Sequence, residues 1–221
     1  MTPPAGAGPD REAALAQYRQ RAGIYDLELA FFEPIRERAI ARLALQPGEV
    51  VLDVGCGTGL SLALLRQGVG AGGRVVGIEQ SPEMLALARQ RVRRQRWRNV
   101  SLHCAPVETA RLSGRADAAL FHFTHDILRR QEALAQVLRH LRPGARVVAT
   151  GLKWAGPWTA LANLLVLPAA LHSVTSLEGL DRPWSRLAER LGPMDVETLW
   201  LDGVFIASGQ VPGAGIDPAQ R

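Results

Sequence analysis

A chain of 221 residues that is 47% hydrophobic and 21% charged can form one globular domain with a substantial core and needs no second. Its two cysteines, Cys56 and Cys104, supply neither a disulfide framework nor metal-ligand spacing, so no metal is expected and a reducing compartment fits. The net charge of +5 is carried by arginine, with Lys153 the sole lysine, and such a bias can follow from genome composition, so no nucleic-acid partner is expected.

Residues 1–10 are rich in Pro and Gly and lack the charged start and apolar stretch of a signal peptide; 212–221 have a similar look. Both are read as disordered ends, and the chain as cytoplasmic, with one domain over 11–211. From Arg11 onward Leu15, Tyr18, Ala22, Tyr25, Leu29 and Phe32 recur at three- and four-residue spacing, one face of a helix or helix pair. Pro34 ends that pattern, and a second helix over 35–45 completes the helical N-terminal part, 11–46. Val50, Val51 and Leu52 form a short apolar strand with Asp53 at its carboxyl end, and Gly55, Gly57 and Gly59 follow at alternate positions. Alternate glycines let the backbone turn sharply and approach a ligand closely, and the helix expected over 60–67 points its N-terminus at the same place.

The rhythm of strand and helix then repeats. Strands are expected at 74–79, 100–104, 116–123 and 145–151, and helices at 82–95, where Ser81 offers an N-cap and Pro82 a preset first residue, and at 131–141. Two further strand-like runs, 196–201 and 204–208, flank Asp202-Gly203, a two-residue hairpin signal. The whole predicts an α/β, doubly wound, Rossmann-like and mostly parallel seven-stranded sheet, with helices on both faces and a C-terminal antiparallel hairpin.

The glycine spacing separates two ligand classes. A dinucleotide fingerprint, G-x-G-x-x-G, puts glycine at its sixth position, which counted from Gly55 is Leu60. The third glycine instead comes one residue early, at Gly59, and Asp53 stands two residues before the first. On these residues the chain resembles the class I S-adenosylmethionine-dependent methyltransferases, whose signature at this strand and loop is D-x-G-x-G-x-G. With the terminal hairpin included, the likeness covers about 25–210.

The resemblance implies S-adenosyl-L-methionine as cofactor. Glu79, twenty residues past Gly59, is then the ribose ligand, and Asp53 orients the loop and faces the ammonium of the methionine part. Gly55, Cys56, Gly57, Thr58 and Gly59 line the cofactor, with Gln80 and Phe121 beside it; Met84 fits equally a place against the adenine face or in the core. Many members carry an acid after the third strand that meets the adenine amino group. Pro106 stands at that position here, so only the Val107 backbone is carried over. Glu108 is left to cap or pair locally.

Methyl transfer from a sulfonium is an in-line displacement, for which positioning supplies much of the rate and a base is needed only if the nucleophile keeps its proton. The fourth strand ends Phe121-His122-Phe123-Thr124-His125-Asp126, so His125 and Asp126 are the catalytic candidates and His122 a further substrate contact. Alternatively Asp126 caps the next helix and backbone groups satisfy His125; His103, His140 and His172 are taken as structural. Trp154 and Trp158 lie in an apolar connection, 152–190, that reads equally as a substrate lid or a core helix. Tyr25 could form the opposite wall. Arg89, Arg91, Arg93, Arg94, Arg96 and Arg98 suit a solvated helix end, with peripheral contact to an anionic membrane as the alternative.

The Tyr25-Asp26 pair and the Leu-Arg-Pro-Gly turn resemble bacterial phospholipid and quinone-precursor methyltransferases. The expected function is methyl transfer to an N or O nucleophile of a small molecule, a lipid or amine among the options. The rivals are an NAD-dependent oxidoreductase and a catalytically inactive cofactor-binding regulatory module. Oligomeric state is not indicated.

Overall fold

The computed structural model describes residues 32–155 and 179–213. The helix expected to carry Tyr18 and Tyr25, the ends 1–10 and 214–221, and the stretch of the lid containing Trp158 lie outside the described residues. In chain order the described elements are α1 (Glu33–Arg42), β1 (Val50–Val54), α2 (Leu62–Val69), β2 (Arg74–Glu79), α3 (Pro82–Arg94), β3 (Val100–Cys104) and β4 (Ala116–His122). They are followed by α4 (His125–Leu128), α5 (Gln131–Arg139), β5 (Leu141–Leu152), α6 (Ser185–Leu191), β6 (Asp195–Leu199) and β7 (Val204–Gln210).

Among the described residues the strands form one seven-stranded sheet in the order β3-β2-β1-β4-β5-β7-β6. Pairings among β1 to β5 are parallel, and β7 runs antiparallel to both β5 and β6. The order reverses between β1 and β4, so both carboxyl ends open on one crevice, the place where ligands bind in open α/β sheets.

Strand alternation sorts the core into two layers. Leu52, Val54, Ala119, Phe121, Val147 and Ala149 pack on one face together with Leu134 and Val137 of α5 and Leu187 of α6. Val51, Ala118, Leu120 and Val148 pack on the other with Ile35 and Ala39 of α1, Leu62 and Leu65 of α2, and Leu85 of α3. By the same alternation Asp53, His122 and Thr150 share the α1 face. The outer side of α1 is tied across the sheet edge: Arg42 pairs with Asp195 and, at 2.8 Å, with Glu197 of β6, and Arg38 Nε donates to Glu197 at 3.1 Å. These pairs cover the edge strand and fix α1 over the strand ends.

Several bounds differ from expectation for visible reasons. The helix expected to end at Pro34 lies outside the described residues, and Pro34 itself belongs to the next helix. It occupies the first turn of α1, where its missing N–H costs nothing, and the helix closes at Arg42. β5 starts at Leu141 because the Arg-Pro-Gly turn is a register shift within the β4–β5 ladder: Leu141 pairs with Ala116 and Arg146 with Ala118, with Gly144 at φ +78. The hairpin turn is longer than Asp202-Gly203. It takes 200–203, with Trp200, Leu201 and Asp202 all left-handed at φ 52, 56 and 68. Lys153 steadies this turn through a 2.8 Å ion pair with Asp202 and a 3.0 Å bond to its carbonyl.

Gly77 sets the height at which the glycine loop crosses β2. A Cβ there would stand 2.7 Å from Leu102 Cδ2 and 2.9 Å from Cys56 Sγ. Gly77→Ala is expected to lower unfolding free energy by about 1–3 kcal/mol, the range for overpacking a core. Denaturant titration checks it, and unchanged stability would contradict this packing.

Candidate active site

The loop after β1 is held by backbone bonds. Gly55 and Cys56 N–H donate to Ile78 O at 2.8 and 3.0 Å, and Gly59 N–H to Cys56 O at 2.9 Å. Gly55, Gly57 and Gly59 have φ +74, +55 and +83, which a side chain would resist. At Gly55 the contact is also steric, since a Cβ would lie 2.5 Å from Thr124 Cγ2. The loop therefore rests directly on the segment after β4. Arg91 Nε donates to Thr58 O at 3.3 Å, so one member of the arginine run braces the loop.

Glu79 closes the other side. Its Oε2 accepts from Gly57 N–H at 3.0 Å and its Oε1 from Ser81 N–H at 2.8 Å. Burial pushes its pKa up against those bonds. Ser81 is the N-cap of α3, accepting from Met84 N–H at 3.2 Å, and this turns Met84 inward to 2% exposure.

A cleft of about 740 Å³, measured to its open mouth, lies against this frame. Gly55, Gly57, Glu79, Gln80, Met84 and Val107 line one side of it. His122, Phe123, His125 and Asp126 line the other, so the structure brings the expected ribose residue and the expected catalytic pair into one space. Asp126 lies within the first turn of α4 and Thr124 is its N-cap position, so Asp126 is not the cap. Glu108 also lines the cleft and pairs with Arg130 at 3.3 Å.

A second cleft adjoins the first at the glycine loop. Arg36, Asp53, Cys56, Thr58 and His122 line it, and Gly55, Gly57, His122 and Phe123 belong to both. Its electrostatics are unusual for so small a space. Asp53 is 2% exposed and its Oδ2 has no hydrogen-bond partner among the described residues. Burial raises its pKa to about 7, with Arg36 pulling it down and Glu79 pushing it further up. Burial likewise drives the Cys56 thiol well above its ordinary value, so it stays protonated.

The remaining expected residues are placed differently. The Phe121 side chain points into the core layer on the α5 face and lines neither cleft, because β4 alternation gives the cleft side to His122. Gly59 packs against Leu62 at the loop's far end, where a Cβ would stand 2.6 Å from Leu62 Cδ1. Trp154 packs on the α1-side core and donates its N–H to Leu180 O at 2.9 Å. Tyr25 and Trp158 lie outside the described residues.

Two residues were not among the expected set. Arg36 is 1% exposed and ion-paired with Glu33, and it sits on the apolar stripe of Ile35, Ala39, Ile40 and Leu43. An arginine within a buried stripe was the available signal. Phe123 holds φ +55 at the mouth of both clefts, a conformation that aromatic residues seldom take, and stacks edgewise on Phe32 at 4.7 Å. Among the described residues no group of three or more His, Cys, Asp or Glu is placed to hold a metal. No helix among them is long and apolar enough to cross a membrane.

Comparison with known proteins agrees with this geometry. A family model described as a methyltransferase domain matches residues 51–144, which run from β1 through the glycine loop to the start of β5. A demethylmenaquinone methyltransferase of Tropheryma whipplei is 30% identical over 169 residues, covering 72% of this chain and 69% of the relative. A malonyl-[acyl-carrier protein] O-methyltransferase of Serratia marcescens is 28% identical over 143 residues, 65% of this chain and 54% of that one. Among solved structures, the N-methyltransferase NodS of Bradyrhizobium japonicum, in complex with S-adenosyl-L-homocysteine, superposes with a TM-score of 0.60 at 18% identity, over 82% of this chain and 88% of that chain. The match spans between 30% and 54% of the length of the first curated relatives. With the reversed strand order, the glycine loop and these matches in agreement, the chain belongs to the class I S-adenosylmethionine-dependent methyltransferase family.

Proposed function

We propose that this protein transfers a methyl group from S-adenosylmethionine to an N or O nucleophile of a small molecule. The observation that carries the reading is the pair of clefts that meet at one glycine loop, with Glu79 in the first and Asp53 and Arg36 in the second. A ligand with a ribose at one end and an amino acid at the other has matching groups in both. Glu79 is already oriented by two backbone N–H groups, and each of its oxygens retains a lone pair for a ribose hydroxyl. The unpartnered Oδ2 of Asp53 suits an ammonium, and the Arg36 guanidinium suits a carboxylate. Met84 and Val107 provide an apolar slot for a base.

When bound, the cofactor supplies an electrophilic methyl carbon. This chain's own residues bind, orient and shield. His125 and Asp126 face the first cleft, where they can hold the acceptor. Phe123 and Phe32, with Trp200 a further 5.1 Å from Phe32, form an aromatic wall reaching from the cleft to the half-exposed hairpin turn. That wall favours an acceptor with an apolar or aromatic body. The relatives act, by their names, on malonyl-[acyl-carrier protein] and on demethylmenaquinone, two unlike acceptors. Peripheral contact with an anionic membrane belongs to the same proposal: Arg89, Arg93, Arg94, Arg96 and Arg98 are exposed around the end of α3. Failure to float with anionic vesicles at low salt would remove it.

Incubation with methyl-labelled cofactor and a metabolite extract tests turnover directly. Label transfer to a small molecule is expected; cofactor binding with no transfer to any fraction would favour a regulatory module. His125→Ala is expected to lose turnover while keeping affinity for S-adenosylhomocysteine, and unchanged turnover would reduce His125 to a structural role.

Glu79→Ala should weaken S-adenosylhomocysteine binding by about 1–3 kcal/mol, the cost of losing hydrogen bonds to a charged group. Calorimetry that returns unchanged affinity would mean that the ribose lies elsewhere.

Asp53 carries a pH signature. Its pKa is raised on folding to about 7, so the stability conferred by the neutral carboxyl is complete below roughly pH 4 and is lost as pH rises through 7. Asp53→Asn is therefore expected to have a higher denaturant midpoint than the parent at pH 8, with the gap closing toward pH 4. The same variant should bind S-adenosylhomocysteine more weakly. A midpoint at or below that of the parent at pH 8 would contradict the burial argument.

A further inference from the structure

Among the residues that line both clefts, Gly55 and Gly57 present only backbone and Phe123 only a ring, which leaves His122 as the one side chain there that can hydrogen-bond. The residue as a whole is half-buried, yet both Nδ1 and Nε2 are closed off from solvent and have no hydrogen-bond partner among the described residues. Its register partner on β5, Thr150, also has a buried hydroxyl with no partner. Buried polar groups in folded proteins are almost always satisfied, so two unsatisfied side chains side by side at the strand ends point to a ligand. Phe123 holds the imidazole edgewise at 4.9 Å, which limits its freedom to turn away.

Resting on the methyltransferase reading above, we propose that His122 receives the acceptor's nucleophile: where the two clefts join, its imidazole accepts a hydrogen bond from an N–H or O–H of an amine, phenol or alcohol. A ligand that spans both clefts has its two polar ends at Glu79 and at Asp53 with Arg36, so its middle, the sulfonium, passes the junction that His122 lines. Burial, and after it the charge of Arg36, lower the pKa of His122 to about 3. The ring is therefore neutral at physiological pH, keeps a lone pair for a donor, and places no second cation beside a sulfonium. His125, by contrast, lines the first cleft only. This assigns contact with the nucleophile to β4 itself and leaves the His125-Asp126 turn to the rest of the acceptor.

The test does not need the acceptor. Sinefungin carries a primary amine in place of the transferable methyl, on a carbon that replaces the sulfur, and S-adenosylhomocysteine carries nothing there. Calorimetry with both ligands on the parent chain and on His122→Phe, which keeps an aromatic ring against Phe123, reads the junction. The preference for sinefungin over S-adenosylhomocysteine is expected to fall at least about fivefold, with S-adenosylhomocysteine affinity within about twofold of the parent. His122→Asn, which retains an acceptor atom, should recover part of the preference and covers the case in which the phenylalanine variant folds poorly. An unchanged preference in both variants overturns the inference, as does an equal loss for both ligands, which would place His122 on the cofactor body. If the parent binds neither ligand, the methyltransferase reading itself fails, an outcome distinct from either of those.

Discussion

The carboxylate of Glu79 is the joint on which the site depends. It stands at the end of β2, accepts from Gly57 N–H of the glycine loop, and accepts again from Ser81 N–H at the start of α3. One side chain thus ties a loop to the next strand and its helix. Burial penalises the charge, and the backbone donors offset that penalty only in part, since the net shift is upward. A protein concerned with stability alone would gain by replacing such a group. Its retention at a cleft is explained by the lone pairs it still has to give.

The same tension recurs on the other side of the loop. Asp53, His122 and Thr150 occupy strand positions whose earlier members, Val51, Leu120 and Val148, are plain core. Alternation therefore carries three polar side chains to the α1 face just where the strands end and the crevice begins. Arg36 meets them from above, held in place because α1 is pinned to the β6 edge through Arg38 and Arg42. The far hairpin thus also contributes to the site from a distance: without β6 in its antiparallel place, α1 would lack the acids that anchor its outer face.

Much of this was legible in the sequence. The strands 74–79 and 100–104, the Ser81 cap and the alternating glycines each rest on local chemistry, and the structure shows them at those residues. Features set by distant contacts were not legible. The Arg-Pro-Gly turn reads as a break before β5 and is a register shift inside a ladder, because Asp117 pairs with Arg142 across it. Asp202-Gly203 reads as a tight hairpin and is half of a wider turn that Lys153 holds from just past the end of β5. Phe121 and His122 are neighbours in sequence, and only the sheet's parity decides which of them lines the clefts. Arg36 could have been found, as a charge within an apolar stripe, but its meaning needed Asp53 beside it.

The proposed cofactor spans two clefts that meet at a glycine loop, with its ribose on Glu79 and its amino-acid end on Asp53 and Arg36. A crystal structure of the protein with S-adenosylhomocysteine measures this most directly. Ribose hydroxyls within hydrogen-bond distance of Glu79, with the ammonium at Asp53 and the carboxylate at Arg36, are the predicted result. An adenosyl group seated away from Glu79, or an amino-acid end that leaves the Asp53 cleft empty, would contradict the account.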